Sequence, residues 1–373
     1  MPAQIKTKNT RTQQKNVAKT TLKKTSRVFW ADALRTVAIL MVVTIHSSAP
    51  VLYRWDEVLT QTISIPAWNF ANILNAISRI SIPLFVMLSG TFLLKNTETV
   101  QTFFKKRIPR IILPWLVWGI IQLLYNYDFS LTKIFDGSIA EKVGTTFFGG
   151  FWFMPLILGL YLITPIIKSF VQTAHSKDFY YFFALWFVVS SFIPTLNQSF
   201  GINISYVIPT FIQYLGYFVA GYFLVHKTKI SEKILKQTQF LFVLSCALIA
   251  LGTYSLTSLA GDFHSSLYEY TNVLVLVTSV SGFVTLKSFF EKRLVLITKD
   301  WQQKITKISQ ASLGIFLSHA LILDILTTGK IGITIHALQG NTFVFLPITI
   351  VLVFGSSLAL VLLLQKYFRK FVS

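Results

Sequence analysis

The residues with the clearest chemical potential lie in one apolar stretch near the start of the chain. Residues 27–51 read RVFWADALRTVAILMVVTIHSSAPV and include Asp32, Arg35 and His46. The stretch is long and apolar enough to span a bilayer, where ionisable groups are costly and indicate function. The imidazole of a histidine is the usual general base at neutral pH, and it can also carry an acyl group. His46 is therefore a candidate catalytic residue.

The spacing of Arg35 and His46 places both side chains on one face of the predicted helix. They are eleven residues apart, and eleven steps of about 100° return to within roughly 20° of the starting direction, about 16 Å further along the axis. One helix face can thus hold two ends of a long substrate. Two structural alternatives stay open: an ion pair of Arg35 with Asp32, three residues before it, and a hydrogen bond from His46 to a neighbouring helix.

A second basic cluster begins the third apolar segment. Residues 105–115 read KKRIPRIILPW, with Arg107 and Arg110 three positions apart. Pro109 lies between them in the first turn of the segment, where proline is tolerated. Both guanidinium groups can face one phosphorylated ligand, because arginine forms bidentate contacts with phosphate. The alternative is a basic anchor at the cytoplasmic end of a membrane helix.

Four further residues are candidates for substrate binding or support. Arg79 precedes Pro83 near the middle of the second apolar segment, so it is expected to face the bundle interior or a water-filled cavity. His319 is a second intramembrane histidine, for which a structural hydrogen bond is the alternative role. Trp152 can be an interfacial aromatic residue, and Glu269 can be a solvated loop acid.

The composition is that of a polytopic membrane protein. The chain has 373 residues, of which 53% are hydrophobic and 13% charged, whereas soluble domains usually have about 25% charged residues. The net charge of +20 does not indicate nucleic-acid binding, because the basic residues lie between apolar segments. The single cysteine, Cys246, excludes an intrachain disulfide and a thiolate metal site, and no metal site is predicted. Residues 1–26 hold seven Lys or Arg and no acid, which predicts a disordered basic cytoplasmic tail.

The apolar segments predict an all-α protein in which residues 27–373 form one bundle of about ten transmembrane helices. The segments are roughly 28–51, 67–94, 108–127, 147–170, 179–194, 205–226, 239–260, 270–290, 309–329 and 342–365. The connections on the side of the N-terminal tail hold most of the Lys and Arg, whereas those on the other side hold only Arg54, Lys133, Lys142 and Lys330. The positive-inside rule therefore predicts that both termini are cytoplasmic.

The order of these motifs resembles the acyltransferase-3 family of integral membrane O-acyltransferases. The resemblance covers about residues 27–368 and rests on Arg35 and His46 in an R-x10-H spacing, SIPLFVMLSG at 81–90, the R-x-x-R of Arg107 and Arg110, FWFMPLILGLYLITP at 151–165 and SLGIFLSH at 312–319. Within the family, residues 78–90 and the WF segment look most like the branch that acetylates bacterial surface sugars.

The resemblance implies acetyl-CoA as a cytoplasmic acyl donor and a hydroxyl group of a cell-surface or lipid-linked saccharide as the acceptor, at the plasma membrane. It implies His46 as the catalytic residue and Arg35, Arg107 and Arg110 as donor-side contacts, and we group Arg35 with His46 as a catalytic candidate. We group Arg79 with Arg107 and Arg110 as a donor-binding candidate. Trp152, Glu269 and His319 remain candidates for substrate contact or support.

Two other classes of function stay open. The first is a transporter or flippase for a polyprenyl-linked sugar, in which intramembrane Arg and His residues would form the substrate path. The second is a catalytically silent membrane sensor or assembly scaffold. Phe151 stands where many relatives have a histidine before the WF pair, and this departure leaves the acceptor open.

Overall fold

The fold is a bundle of long helices. A computed structural model describes residues 28–200, 208–330, 332 and 334–372, and no β-strand occurs in these ranges. The predicted basic tail at 1–26 lies outside the described residues. The α-helices, in chain order from α1 to α16, are Phe29–Leu52, Trp55–Leu59, Ile65–Ser78, Ser81–Leu93, Val100–Asn126, Leu131–Phe135, Ile139–Gly144, Phe153–Thr173, Ser176–Phe187, Ile193–Phe200, Thr210–Gln213, Leu215–His226, Glu232–Ala260, Val273–Arg293, Lys299–Thr328 and Thr342–Val372.

Nine helical stretches within the described ranges are long and apolar enough to cross a membrane. They correspond to nine of the ten predicted segments, and the all-α polytopic fold is confirmed. The predicted sixth segment, 205–226, differs, since its described part forms the short helices α11 and α12. Tyr214 separates α11 from α12, and Pro209 directly precedes α11. Its first residues, 205–207, lie outside the described ranges.

Side-chain caps begin five of the bundle helices. The capping residues are Ser64, Thr99, Ser231, Asn272 and Thr298, each of which accepts a hydrogen bond from a backbone N–H in the first turn of its helix. Such caps satisfy donors that the helix itself leaves unpaired. They therefore fix where the long apolar runs change from connection to helix.

The second spanning stretch, Ile65–Leu93, is broken near its middle, as its sequence predicts. Helix α3 ends at Ser78, Arg79 and Ile80 form a turn, and α4 begins at Ser81. Pro83 lies in the first turn of α4, where its missing N–H leaves no hydrogen bond unmade. The break directs the Arg79 side chain into the bundle interior.

The first helix is packed at the centre of the bundle. It contacts α3, α4 and α15 most extensively, and the buried Asp32 accepts a hydrogen bond of 2.7 Å from Ser309 on α15. We call the end of the bundle where α1 begins the proximal end, and the end where α1 stops the distal end. Successive spanning helices alternate between these two ends, so α5 begins at the proximal end and α8 at the distal end.

Candidate functional site

The two intramembrane histidines lie next to each other. The rings of His46 on α1 and His319 on α15 have centroids 4.9 Å apart. His319 is buried with 4% of its surface exposed, whereas His46 is exposed although its neighbours Ile45 and Ser47 are buried. The pair thus combines an exposed imidazole with a buried one.

The hydrogen bonds of His319 determine which of its nitrogens carries the proton. Its Nδ1 lies 2.7 Å from the carbonyl oxygen of Phe316 and 3.2 Å from that of Ile315. A carbonyl oxygen only accepts hydrogen bonds, so Nδ1 is the protonated nitrogen and Nε2 keeps a lone pair. This Nε2 is buried and has no hydrogen-bond partner among the described residues. A buried acceptor without a partner is costly, and a substrate or a protonated His46 can satisfy it.

The arginine cluster predicted from residues 105–115 lies at the proximal end, near the start of α5. Arg107 donates to the carboxylate of Glu98 at 2.5 Å and packs over the ring of Phe103 at 4.5 Å. Lys106 donates to the other Glu98 oxygen at 2.6 Å, and Lys168 of α8 donates to the Glu98 backbone carbonyl at 3.1 Å. The hydrogen bonds from Lys106 and Arg107 lower the pKa of the Glu98 carboxyl to about 2. Glu98 therefore remains ionised and holds the Arg107 guanidinium in place.

Three arginines converge on one tyrosine at the proximal end. The charges of Arg35, Arg107 and Arg110 all act on the hydroxyl of Tyr161 on α8. Arg110 is exposed, and Arg35 lies 3.5 Å from the Asp32 carboxylate. The ion pair of Arg35 with Asp32 expected from their spacing is confirmed. Arg35, Arg107 and Arg110 thus all lie near the Tyr161 hydroxyl. An anion can interact with this cluster of cations.

A narrow cavity lies between helices α1, α4, α5, α8 and α15. It has a volume of about 150 Å³ and is lined by Arg35, Phe85, Ser89, Ile111, Phe153, Met154, Ile157, Tyr161, Ser312, Leu313 and Phe316. Arg35 and Tyr161 belong to the proximal cluster, while the ring of Phe316 lies 5.8 Å from that of His319. The mostly apolar cavity wall therefore includes one arginine of the proximal cluster and, in Phe316, a ring that lies next to His319.

Arg79 lies apart from the other three arginines. Its Nε donates to Asn75 Oδ1 at 2.9 Å, and its guanidinium lies over the ring of Tyr268 at 4.3 Å and near that of Tyr270 at 6.0 Å. Its charge also acts on His46. The break between α3 and α4 directs Arg79 toward the distal half, so its grouping with Arg107 and Arg110 as donor contacts does not fit this placement.

Trp152 and Glu269 lie together at the distal end. They border a cavity of about 290 Å³ whose lining is Trp152, Gln198, Thr210, Gln213, Tyr214, Glu269, Tyr270 and Thr271. Trp152 directly precedes α8 and follows the π-helical turn Thr145–Gly150. The cavity joins two candidates that lie far apart in the sequence.

Several residues of the site were not among the candidates predicted from the sequence. Asn75 donates to the Ile45 carbonyl at 3.3 Å and to Ser48 at 2.8 Å, and it accepts from Arg79. It therefore links Arg79 to the turn of α1 that holds His46. An asparagine in an apolar run and the acid Glu98 just before the RxxR cluster are signals that could have indicated both residues, whereas Tyr161 resembles any membrane-helix tyrosine.

Comparison with known proteins gives one finding. A family model described as an acyltransferase domain, Acyl_transf_3, matches residues 28–364. No curated protein and no solved structure matches the chain significantly. The match spans most of the chain and includes every candidate site residue described above.

Proposed function

The chain belongs to the acyltransferase-3 family and is a membrane acyltransferase, and we propose that it transfers an acetyl group from acetyl-CoA to a hydroxyl group of a saccharide. The contact between His46 and the buried His319, next to a cavity whose lining includes Arg35 of the arginine cluster, carries this proposal. The saccharide belongs to the cell surface or to a lipid carrier, and the enzyme acts in the plasma membrane.

The proximal cluster is suited to hold the donor. A nucleotide with several phosphate groups needs fixed cationic donors. Arg35, Arg107 and Arg110 are three such cations near the Tyr161 hydroxyl. The apolar lining of the cavity suits the arm that carries the thioester, because that arm is largely uncharged. Ser89 and Ser312 give this lining two hydroxyl groups. On this arrangement the nucleotide remains at the proximal end while the thioester approaches the histidine pair.

The chemistry needs one base. The acceptor oxygen attacks the thioester carbonyl carbon, its proton passes to His46, and the carbon–sulfur bond breaks so that CoA leaves as the thiol after protonation. Protonated His46 can donate to the lone pair of His319 Nε2, and this contact stabilises the charged ring without a carboxylate. His46 can alternatively accept the acetyl group first and then pass it to the hydroxyl. Both versions require the imidazole of His46.

An acyltransferase, a flippase and a scaffold would treat a labelled acetyl group on acetyl-CoA differently. Labelled acetyl-CoA and a lipid-linked saccharide extract are added to the purified protein in lipid nanodiscs, and the saccharide is analysed by mass spectrometry. We expect labelled acetyl ester on the saccharide, removable by mild base. A flippase would leave the acetyl label on CoA and move the saccharide unchanged in sealed vesicles, and a scaffold would do neither.

The acceptor is tested in cells. The surface polysaccharide of a deletion strain should lack an O-acetyl signal in its NMR spectrum that is present in wild type and restored by the intact gene. Identical O-acetyl signals in both strains would remove a surface polysaccharide as the acceptor.

A further inference from the structure

The distal cavity is built like a carbohydrate-binding site. We propose that it holds one neutral sugar ring of the acceptor, with Trp152 and Tyr270 as stacking surfaces and Glu269 as a hydrogen-bond acceptor for hydroxyl groups. This inference rests on the proposed function and assigns the place and the chemical class of the acceptor. We call this cavity, which Trp152 and Glu269 border, the distal pocket.

Aromatic rings form one side of the distal pocket. The ring of Trp152 lies 5.8 Å from that of Tyr270 and 6.1 Å from that of Tyr214, while Tyr214 and Tyr270 lie 6.2 Å apart. Tyr214 is buried, with 5% of its surface exposed, and the other two rings are half-buried. Three rings that contact one another and still border a cavity offer flat apolar surfaces to the C–H faces of a sugar ring.

The remaining lining supplies hydrogen-bond partners that suit hydroxyl groups. Gln198, Thr210 and Glu269 are exposed at the mouth, and Gln213 lies half-buried behind them. The two amides and the two threonine hydroxyls can both donate and accept, and the carboxylate accepts. A lining that combines apolar rings with a few polar groups is typical of small-molecule sites. Its volume of about 290 Å³ lies at the lower limit of the usual range of about 300–1,000 Å³, which fits one sugar unit.

The charges favour a neutral ring over a phosphorylated one. Among the described residues of the lining, Glu269 is the one acid and none is Lys or Arg. Arg79 lies behind Tyr270 and its charge acts on Glu269, so this acid and this cation offset each other. A phosphate group placed in the pocket would face the Glu269 carboxylate without a cation in the lining to pair with it.

The distal pocket shares a wall with the proximal cavity. Trp152 borders the distal pocket, and its chain neighbour Phe153 lines the proximal cavity. The Phe153 ring lies 5.2 Å from that of Phe316, which in turn lies 5.8 Å from His319. Arg79 approaches the same region from the other side, since its charge acts on both Glu269 and His46. The distal pocket therefore lies beside side chains that border the proximal cavity, and one of these, Phe316, lies next to His319.

Saturation-transfer NMR tests binding without relying on activity. The probes are methyl glycosides of glucose, galactose, mannose, rhamnose and N-acetylglucosamine, with glucose 6-phosphate as the charged comparison, added to the protein in nanodiscs. We expect at least one neutral glycoside to receive magnetisation on its ring C–H protons, and glucose 6-phosphate to receive none. Trp152→Leu and Glu269→Gln should each weaken that binding about tenfold, as the loss of one stacking contact or one charge-assisted hydrogen bond implies.

Matched variants separate the possible outcomes. Glu141→Gln changes an exposed distal acid outside the pocket and should leave binding unchanged. Trp152→Phe keeps a stacking ring and should bind better than Trp152→Leu. If no neutral glycoside binds the folded protein, or if Trp152→Leu and Glu269→Gln bind as wild type does, the inference is overturned. Binding in the pocket without any acetyl transfer would instead support the inference and count against the proposed function.

Discussion

At the residue scale, the proposed chemistry depends on two histidines, one that is exposed and one that is buried with a fixed tautomer. His46 is accessible, and His319 is buried with its Nδ1 committed to the Phe316 carbonyl. The committed nitrogen fixes the tautomer of His319 and leaves the other nitrogen able to accept. A carboxylate partner would hold a permanent charge in the membrane interior, whereas a second neutral imidazole does not.

The arginine cluster leads to a prediction about donor affinity. Arg107→Ala and Arg110→Ala should each weaken acetyl-CoA binding about tenfold or more, because each removes a charge-assisted phosphate contact worth about 1.5–3 kcal/mol. Isothermal titration in nanodiscs measures the dissociation constant. Lys105→Ala removes an exposed cation at the same helix start and serves as the control, with a much smaller effect. Unchanged donor binding in both arginine variants would reduce the cluster to a topology signal.

Glu98 leads to a prediction about pH. Its hydrogen bonds to Lys106 and Arg107 lower the pKa of the folded-state carboxyl from 4.5 to about 2. A group whose folded pKa is depressed stabilises the protein fully above its unfolded pKa, and this contribution is lost as pH falls through the folded value. The melting temperature of wild type should therefore exceed that of Glu98→Gln at pH 7, by a small amount because the pair is near the surface. The difference should shrink between about pH 4.5 and pH 2, and a pH-independent difference would contradict this account.

Local spacing predicted some of these contacts and could not predict others. The Arg35–Asp32 pair follows from a separation of three residues on one helix, and the interior position of Arg79 follows from the cost of exposing a charge to lipid. The contact of His46 with His319 joins two helices from opposite ends of the chain. The distal pocket likewise joins Trp152, Tyr214 and Tyr270 from three separate segments. Such contacts depend on helix packing, which no single-helix pattern contains.

At the element scale, two glycines let the second and sixth segments pack backbone to backbone. A Cβ atom on Gly90 would lie 1.7 Å from the carbonyl oxygen of Phe218, and one on Gly221 would lie 1.9 Å from that of Met87. Thr91 also donates to the Gly221 carbonyl at 2.9 Å across the same contact. Gly90 therefore permits the close approach of the two helices. The contact fixes α4 against α12 and so helps to position the residues that precede both helices.

This contact gives a prediction about stability. Gly221→Ala must push α12 away from α4, because backbone atoms and not a flexible side chain occupy the space. We expect a destabilisation of about 1–3 kcal/mol, the usual cost of overpacking, seen as a lower melting temperature in detergent. Gly355→Ala is the matched control, since that helical glycine has nothing within 4 Å of the added atom. Equal melting temperatures for the two variants would show that the close approach does not contribute to stability.

The described helices differ from the predicted sixth segment, 205–226. Hydropathy detects one continuous apolar run, but Pro209 and the turn at Tyr214 divide its described part into α11 and α12. Tyr214 is buried and borders the distal pocket. The interruption therefore places an aromatic ring at a position that an unbroken helix would direct elsewhere.

At the scale of the whole molecule, the two cavities have linings of different chemistry. The proximal cavity includes Arg35 in a mostly apolar lining, and the distal pocket holds aromatic rings and one acid. A donor and an acceptor kept on different sides of a membrane can meet only within the protein. The histidine pair lies near the shared wall, where the two would meet.

This arrangement depends on the orientation in the membrane, which loop charge predicts. Reporter fusions after Thr97 and Glu232 should report the cytoplasm, and fusions after Ser138 and Leu338 the exterior, because the basic connections lie on the proximal side. Phosphatase and fluorescent-protein reporters together give a signal on either side. A cytoplasmic signal at Ser138 would contradict both the predicted topology and the assignment of the distal pocket to an external acceptor.

The most direct measurement is the acetyl-transfer rate of His46→Gln, with His46→Ala beside it. Glutamine keeps hydrogen bonding but cannot exchange a proton near neutral pH, so it separates a base or acyl carrier from a structural histidine. If His46 is the base or the acyl carrier, both variants should insert normally, bind acetyl-CoA as wild type does, and transfer no acetyl group above background. Near-normal turnover by a folded His46→Gln protein would contradict this role and show that His46 is structural.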